Sequence, residues 1–168
     1  HESNAYPGRA VRMFAKKADR IFVGFEEAKS KLPDSSKVIF TGTPTKIKKL
    51  DISSENKEKM LADLGLNDIL PTILIFGGSQ GAQRINETIT DLIINKYNKN
   101  YQLIWATGPK QFDIVKAKLK ENNLDIENIE NAKILPYIYN MEELINICDL
   151  VVCRSGAMTI TEIAIVQK

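Results

Sequence analysis

"ILIFGGSQGAQRIN", residues 73–86, is the stretch on which the fold turns. An apolar run without alternation breaks into Gly77-Gly78-Ser79-Gln80-Gly81 and passes at once into apolar residues at helical spacing, Ile85, Ile89, Leu92 and Ile93. A strand that is apolar on both faces belongs in a sheet covered on both sides, and a strand running straight into a helix is the repeating unit of a parallel sheet.

The same grammar extends in both directions. Upstream, "SSENKEKMLADLG" (53–65) reads as a helix with a serine N-cap, an apolar stripe at Met60, Leu61 and Leu64, and Gly65 at its C-cap. Downstream come the strand "YQLIWATG" (101–108), the helix "KQFDIVKAKLKEN", the strand "AKILPYI" (132–138), the helix "NMEELINIC", and the buried strand "DLVVCRSG" (149–156) feeding the helix "AMTITEIAIV" (157–166). Before residue 42 the pattern predicts short strands at 20–25 and 37–42, with helices over "PGRAVRMFAKKA" and "FEEAKSKL"; Pro7 suits a first helical turn. Between them "TGTPTKIKKLDISSENK" is polar, basic and broken by Gly42 and Pro44, as a linker would be. The expected fold class is α/β, a Rossmann-like parallel sheet. Its expected division is 1–41 as the end of one domain, 42–52 as linker and 53–168 as a second, truncated domain.

Composition narrows the function. The 168 residues are 43% hydrophobic and 26% charged, ordinary for a globular protein. With 23 Lys and Arg against 21 Asp and Glu there is no bulk electrostatic case for nucleic acid. Cys148 and Cys153 sit in apolar stretches, as small buried hydrophobes in a reducing compartment do. No apolar run reaches the roughly 20 residues that span a bilayer, and no signal-peptide pattern opens the chain, so the expected location is cytosolic, at most peripheral to a membrane. The only histidine is His1, which leaves no triad or metal cluster, and no protein-bound metal is expected. Trp105, Tyr137 and Tyr139 read as core and rim. The chain opens without methionine and stops inside a helical pattern, as a segment of something larger would.

Parallel sheets bind ligands at the carboxyl ends of their strands, so the strand-to-helix turns carry the candidate site. Gly77, Gly78 and Gly81 let a ligand approach the main chain, Ser79 adds a hydroxyl, and the next helix aims its free N–H groups there, which favours phosphate or diphosphate. The turn is not a Walker A loop, lacking Gly-Lys-Ser/Thr, nor G-x-G-x-x-G, since Phe76 stands at the first glycine. The glycines alone also fit a tight turn that merely packs helix on strand. In the second turn, "CRSGAMTITE", Arg154, Ser155 and Gly156 precede a helix bearing Glu162, whose carboxylate could take both hydroxyls of a ribose. Taken singly, Glu162 also fits an exposed helix residue, and Arg154 a salt-bridge partner.

Three stretches together, "GGSQGAQRIN", "CRSGAMTITEIA" and the opening "HESNAYPGRAVRMFAKKADRIFVGF", closely resemble the MurG family of bacterial N-acetylglucosaminyltransferases, which convert lipid I to lipid II in peptidoglycan synthesis. The resemblance spans essentially the whole chain. It implies the GT-B architecture, with 53–168 as the nucleotide-sugar domain core and 1–41 as the end of the acceptor-side domain. It implies UDP-N-acetylglucosamine (UDP-GlcNAc) as donor, no cofactor, lipid I as acceptor, other cell-wall synthesis proteins as partners, and a peripheral place on the cytoplasmic face of the plasma membrane. By the same resemblance Asn4, in "HESN" where the family usually reads His-Glu-Gln-Asn, touches the sugar. Ser79 binds diphosphate, and Ile138 meets uracil through its main chain. Ala157, Met158, Thr159, Ile160, Thr161 and Glu162 line the nucleotide, Glu162 on the ribose. Lys46 falls on the diphosphate-contacting arginine of the family's Gly-Asn-Pro-Val-Arg motif, here "GTPTK"; lysine keeps the charge but loses the bidentate fork. The family's catalytic base, acceptor patch and amino-terminal glycine loops have no counterpart in these residues, so the segment alone is expected to be inactive. Another GT-B UDP-sugar transferase with a lipid acceptor, such as a diacylglycerol glucosyltransferase, shares the glutamate and glycine-turn logic but not the "HESN" and "GGSQGA" pairing. A non-catalytic nucleotide-binding or assembly module is the alternative from another class.

Overall fold

In the computed structural model, which describes residues 1–168, the chain divides into two units. One comprises His1–Lys46 with Gly156–Glu162, the other Ile47–Ser155 with Ile163–Lys168.

The first unit holds α1 (Arg9–Phe14), β1 (Ile21–Val23) and β2 (Val38–Phe40). The two strands run parallel, Phe22 opposite Ile39, and Glu2 forms a further parallel bridge with Val23. Ala15, Ile21, Val23, Ala28, Leu32 and Val38 make its core. Both expected strands form, while the helices differ from expectation. The first begins at Arg9, so Pro7 precedes the N-cap Gly8 instead of occupying the first turn. The cause is Glu2, whose Oε2 takes the Gly8 N–H at 2.6 Å. Beyond Phe14 this helix tightens into a 3₁₀ turn over Ala15–Lys17. The segment 25–32 is also 3₁₀, over Glu26–Lys31, not α-helix. Pro33 forces Leu32 into extended backbone, which stops the segment there.

The second unit starts with α2 (Ser54–Asp63), whose N-cap Ser53 accepts from the Asn56 N–H and which ends before Gly65 at φ 74°. There follow β3 (Thr72–Phe76), α3 (Gln83–Ile94), β4 (Gln102–Ala106), α4 (Pro109–Glu121), β5 (Ala132–Leu135), α5 (Met141–Ile147) and β6 (Leu150–Cys153). The last helix, α6 (Ala157–Val166), divides between the units at Glu162. The strands form a parallel sheet in the order β5-β4-β3-β6. Because side chains alternate along a strand, Ile75 and Trp105 face Ile89, Ile93, Val115 and Leu119 of α3 and α4. On the other face Leu74, Phe76 and Ile104 meet Leu61 of α2 and Leu144, Ile145 and Ile147 of α5. The expected parallel sheet covered on both faces is therefore what forms.

Two expectations change in detail. The strand expected over 132–138 stops at Leu135, since Pro136 has no N–H to donate to a ladder. The strand over 149–156 is not buried: β6 is the sheet edge, pairing only with β3, and Leu150 and Val152 are 54% and 39% exposed. Cys153 is accordingly only half-buried, whereas Cys148 is fully buried. Burial pushes the Cys148 thiol up to about 11 and raises Cys153 too, so both remain protonated at neutral pH.

The strand order decides where chemistry can sit. The chain lays β3, β4 and β5 outward in one direction, then returns to place β6 on the far side of β3. Between β3 and β6 the direction of winding reverses, and such a switch point opens a crevice at the carboxyl ends of the strands.

Candidate functional site

Phe76 at the end of β3 pairs with Cys153 at the end of β6, so the turns Gly77–Gly81 and Arg154–Ser155 leave adjacent strands side by side. The sheet thus brings together two segments separated by more than seventy residues of chain.

In the first turn the glycines have different reasons. A Cβ on Gly77 would stand 2.3 Å from the Ala82 nitrogen, and one on Gly81 would stand 2.0 Å from the Thr107 carbonyl oxygen. These two positions are required by packing of the turn on itself and on the turn that follows β4. Gly78, at φ 86°, has nothing within 4 Å of its missing Cβ. Gly78, Ser79 and Gln80 are exposed, tied below by the Gly81 N–H to the Gly78 carbonyl at 2.9 Å. The turn is therefore a rigid base under an accessible rim that carries the Ser79 hydroxyl. Helix α3 starts immediately afterwards with no side-chain cap and no acidic residue in its first turn, so its leading N–H groups are electropositive.

Asn86 fixes that arrangement, although the sequence reading gave it no role. It is 2% exposed; its Nδ2 donates to the Thr107 carbonyl at 2.8 Å and its Oδ1 accepts from Trp105 Nε1 at 3.2 Å. Both bonds lock the start of α3 to the end of β4. The signal was legible: one amide among the apolar positions Ile85, Ile89 and Ile93 of an amphipathic helix.

In the second turn Arg154, Ser155 and Gly156 are exposed, and Arg154 takes part in neither of the two ion pairs, Lys57–Asp149 and Lys118–Asp91. The alternative of Arg154 as a salt-bridge partner is thus not realised. A Cβ on Gly156 would meet only Thr159 Oγ1, at an ordinary 3.6 Å. Along α6, Ala157, Thr159, Thr161 and Glu162 are half-buried, while Met158 and Ile160 are 40% and 46% exposed. Ile138 is 5% exposed in the apolar cluster under α5, between the exposed Tyr137 and Tyr139.

Within the first unit, Glu162 Oε1 accepts a hydrogen bond from Thr45 Oγ1 at 3.2 Å, so Glu162 is a half-buried, tethered carboxylate and not an exposed helix residue. Lys46 is exposed beside Thr45. Asn4 is exposed but held: its backbone N–H and its Nδ2 both donate to Glu2 Oε1, at 2.8 and 2.9 Å. Glu2 is 4% exposed. Burial pushes its carboxyl up, but the hydrogen bonds from Asn4 and Gly8 outweigh that and hold it below its ordinary value. Glu2 and Thr45 are further residues that sequence reasoning passed over, because each acts through a partner that only folding brings close. No three His, Cys, Asp or Glu side chains lie together as a metal site would need, and no helix is long and apolar enough to cross a membrane.

Residues 72–168 match the glycosyltransferase family 28 C-terminal domain. Among curated relatives, the UDP-N-acetylglucosamine–N-acetylmuramyl-(pentapeptide) pyrophosphoryl-undecaprenol N-acetylglucosamine transferase of Acetivibrio thermocellus is 40% identical over 164 residues, covering 97% of this chain and 42% of that protein. The transferase of the same name from Lactobacillus helveticus is 41% identical over 162 residues, covering 96% and 43%. The chain thus spans less than half the length of the curated relatives it matches. Among solved structures, MurG of Acinetobacter baumannii superposes with a TM-score of 0.60 at 24% identity, over 98% of this chain and 41% of that one. A glycosyltransferase of Rickettsia africae gives 0.59 at 12% identity, over 94% and 46%. At these identities the superpositions speak for the fold alone.

Proposed function

The chain belongs to glycosyltransferase family 28, whose C-terminal domain its residues 72–168 carry, and on that premise we propose that it is the donor-binding segment of an inverting transferase that moves GlcNAc from UDP-GlcNAc to lipid I. The observation that carries the reading is the pairing of β3 with β6, which sets an exposed serine turn and a helix start beside the Arg154–Ser155 turn at the switch point of the sheet. Two adjacent electropositive turns suit a diphosphate, and neither has the sequence of an ATP or NAD loop. The names and identities of the relatives support this donor and acceptor.

In this reading Ser79, the α3 N–H groups, Ser155 and Gly156 hold the diphosphate, with Gly77, Gly78 and Gly81 shaping the turn and Arg154 and Lys46 supplying charge. The Ile138 main chain meets uracil, Ala157–Glu162 line the nucleoside with Glu162 on the ribose, and Asn4 touches the sugar. The 4-hydroxyl of the lipid-linked MurNAc-pentapeptide attacks the anomeric carbon as the bond to UDP breaks. The α3 N-terminus stabilises the charge that develops on the departing diphosphate, and no protein-bound metal is called for. The base that takes the hydroxyl proton, and the acceptor surface, belong to sequence outside these residues, so the segment alone turns nothing over. In this reading residues 1–41 are the end of the acceptor-side domain of a GT-B enzyme, 42–52 the linker and 53–168 the donor domain core; the division of units between Lys46 and Ile47 falls within that linker, while Gly156–Glu162 group with the first unit. A lipid acceptor places the parent enzyme on the cytoplasmic face of the plasma membrane, where other cell-wall synthesis proteins work.

Calorimetric titration of the full-length polypeptide with UDP-GlcNAc, UDP-glucose and NAD tests this. Binding that favours UDP-GlcNAc is expected; equal indifference of a folded protein to all three ligands refutes it.

A further inference from the structure

We propose that Thr45 is a positioning residue for the ribose subsite, its hydroxyl orienting the Glu162 carboxylate so that the remaining lone pairs face the ribose hydroxyls; this rests on the donor reading above. Three observations carry it. Thr45 Oγ1 donates to Glu162 Oε1 at 3.2 Å, across 117 residues of sequence. Both side chains are half-buried. Glu162 is in neither of the two ion pairs, so the Thr45 hydroxyl is the side-chain donor that meets its carboxylate.

The terminal torsion of a glutamate is broad and roughly two-fold, so an untethered carboxylate sweeps through many orientations. An ionised carboxylate has about four acceptor sites, and one hydroxyl donor occupies one of them while selecting the plane of the group. What remains is a fixed acceptor for two vicinal hydroxyls. Without Thr45 the carboxylate must be ordered by the ligand itself, and that cost falls on binding.

The test separates this role from general packing. Valine nearly matches the shape of threonine, removes only the hydroxyl, and is the residue at this place in the Gly-Asn-Pro-Val-Arg motif. UDP and 2′,3′-dideoxy-UDP are titrated calorimetrically into full-length polypeptide carrying the native sequence, Thr45→Val, Thr45→Ser or Glu162→Gln, with melting temperatures recorded for each. The native protein is expected to prefer UDP by on the order of tenfold. Glu162→Gln removes most of that preference. Thr45→Val lowers it about three- to tenfold while leaving 2′,3′-dideoxy-UDP affinity and melting temperature unchanged, and Thr45→Ser restores it. If Thr45→Val keeps the native preference while Glu162→Gln loses it, the positioning role is wrong and the ribose assignment stands. If Thr45→Val weakens both ligands equally, Thr45 is merely structural and the proposal fails. If neither variant alters the preference, the ribose assignment itself falls, and the role of Thr45 with it.

Discussion

Gly77, Gly78 and Gly81 stand in one short turn, yet substitution should cost differently at each, because a glycine can be demanded by its backbone angle, by its neighbours, or by both. Gly81 combines φ 77° with a missing Cβ that would lie 2.0 Å from the Thr107 oxygen, whereas Gly78 has the angle without the crowding. Gly81→Ala is therefore expected to destabilise the protein by about 2–4 kcal/mol, and Gly78→Ala by only about 1–2 kcal/mol. Urea unfolding of the two variants checks this; equal losses would show that the close approach to Thr107 carries no weight. The glycines were visible in the sequence, but the division of labour among them was not, since Thr107 lies on a different strand-to-helix turn.

The amino-terminal element illustrates how one buried charge sets local structure. Glu2 receives the Asn4 and Gly8 amides, which delays the start of α1 to Arg9 and holds Asn4 in place. Its carboxyl titrates below its ordinary value of 4.5 in the folded protein, so the stability it contributes is fully present above that value. It is lost as pH falls through the lowered folded value. Glu2→Gln should cost about 1–2 kcal/mol at pH 7, and the gap from the native protein should close as the pH drops below about 4. Urea midpoints across that range measure it, and a pH-independent gap would contradict the carboxylate's role. The sequence showed "HESN" as a motif; that its glutamate points inward follows from the bridge to Val23, a contact with another strand.

At the scale of the whole molecule, the sheet that these 168 residues form runs β5-β4-β3-β6, with β6 paired to β3. The α/β class, the alternation of strand and helix, and the two glycine turns were all determined by the sequence, because hydrophobic period and turn residues are local properties of the chain. The order β5-β4-β3-β6 was not, since strands of similar apolar character carry no label for their neighbours. That order alone made the Ser79 turn and the Arg154–Ser155 turn adjacent. Folding likewise brought Thr45 to Glu162 and Asn86 to Thr107, contacts that need tertiary structure because the groups that satisfy one another lie far apart along the chain.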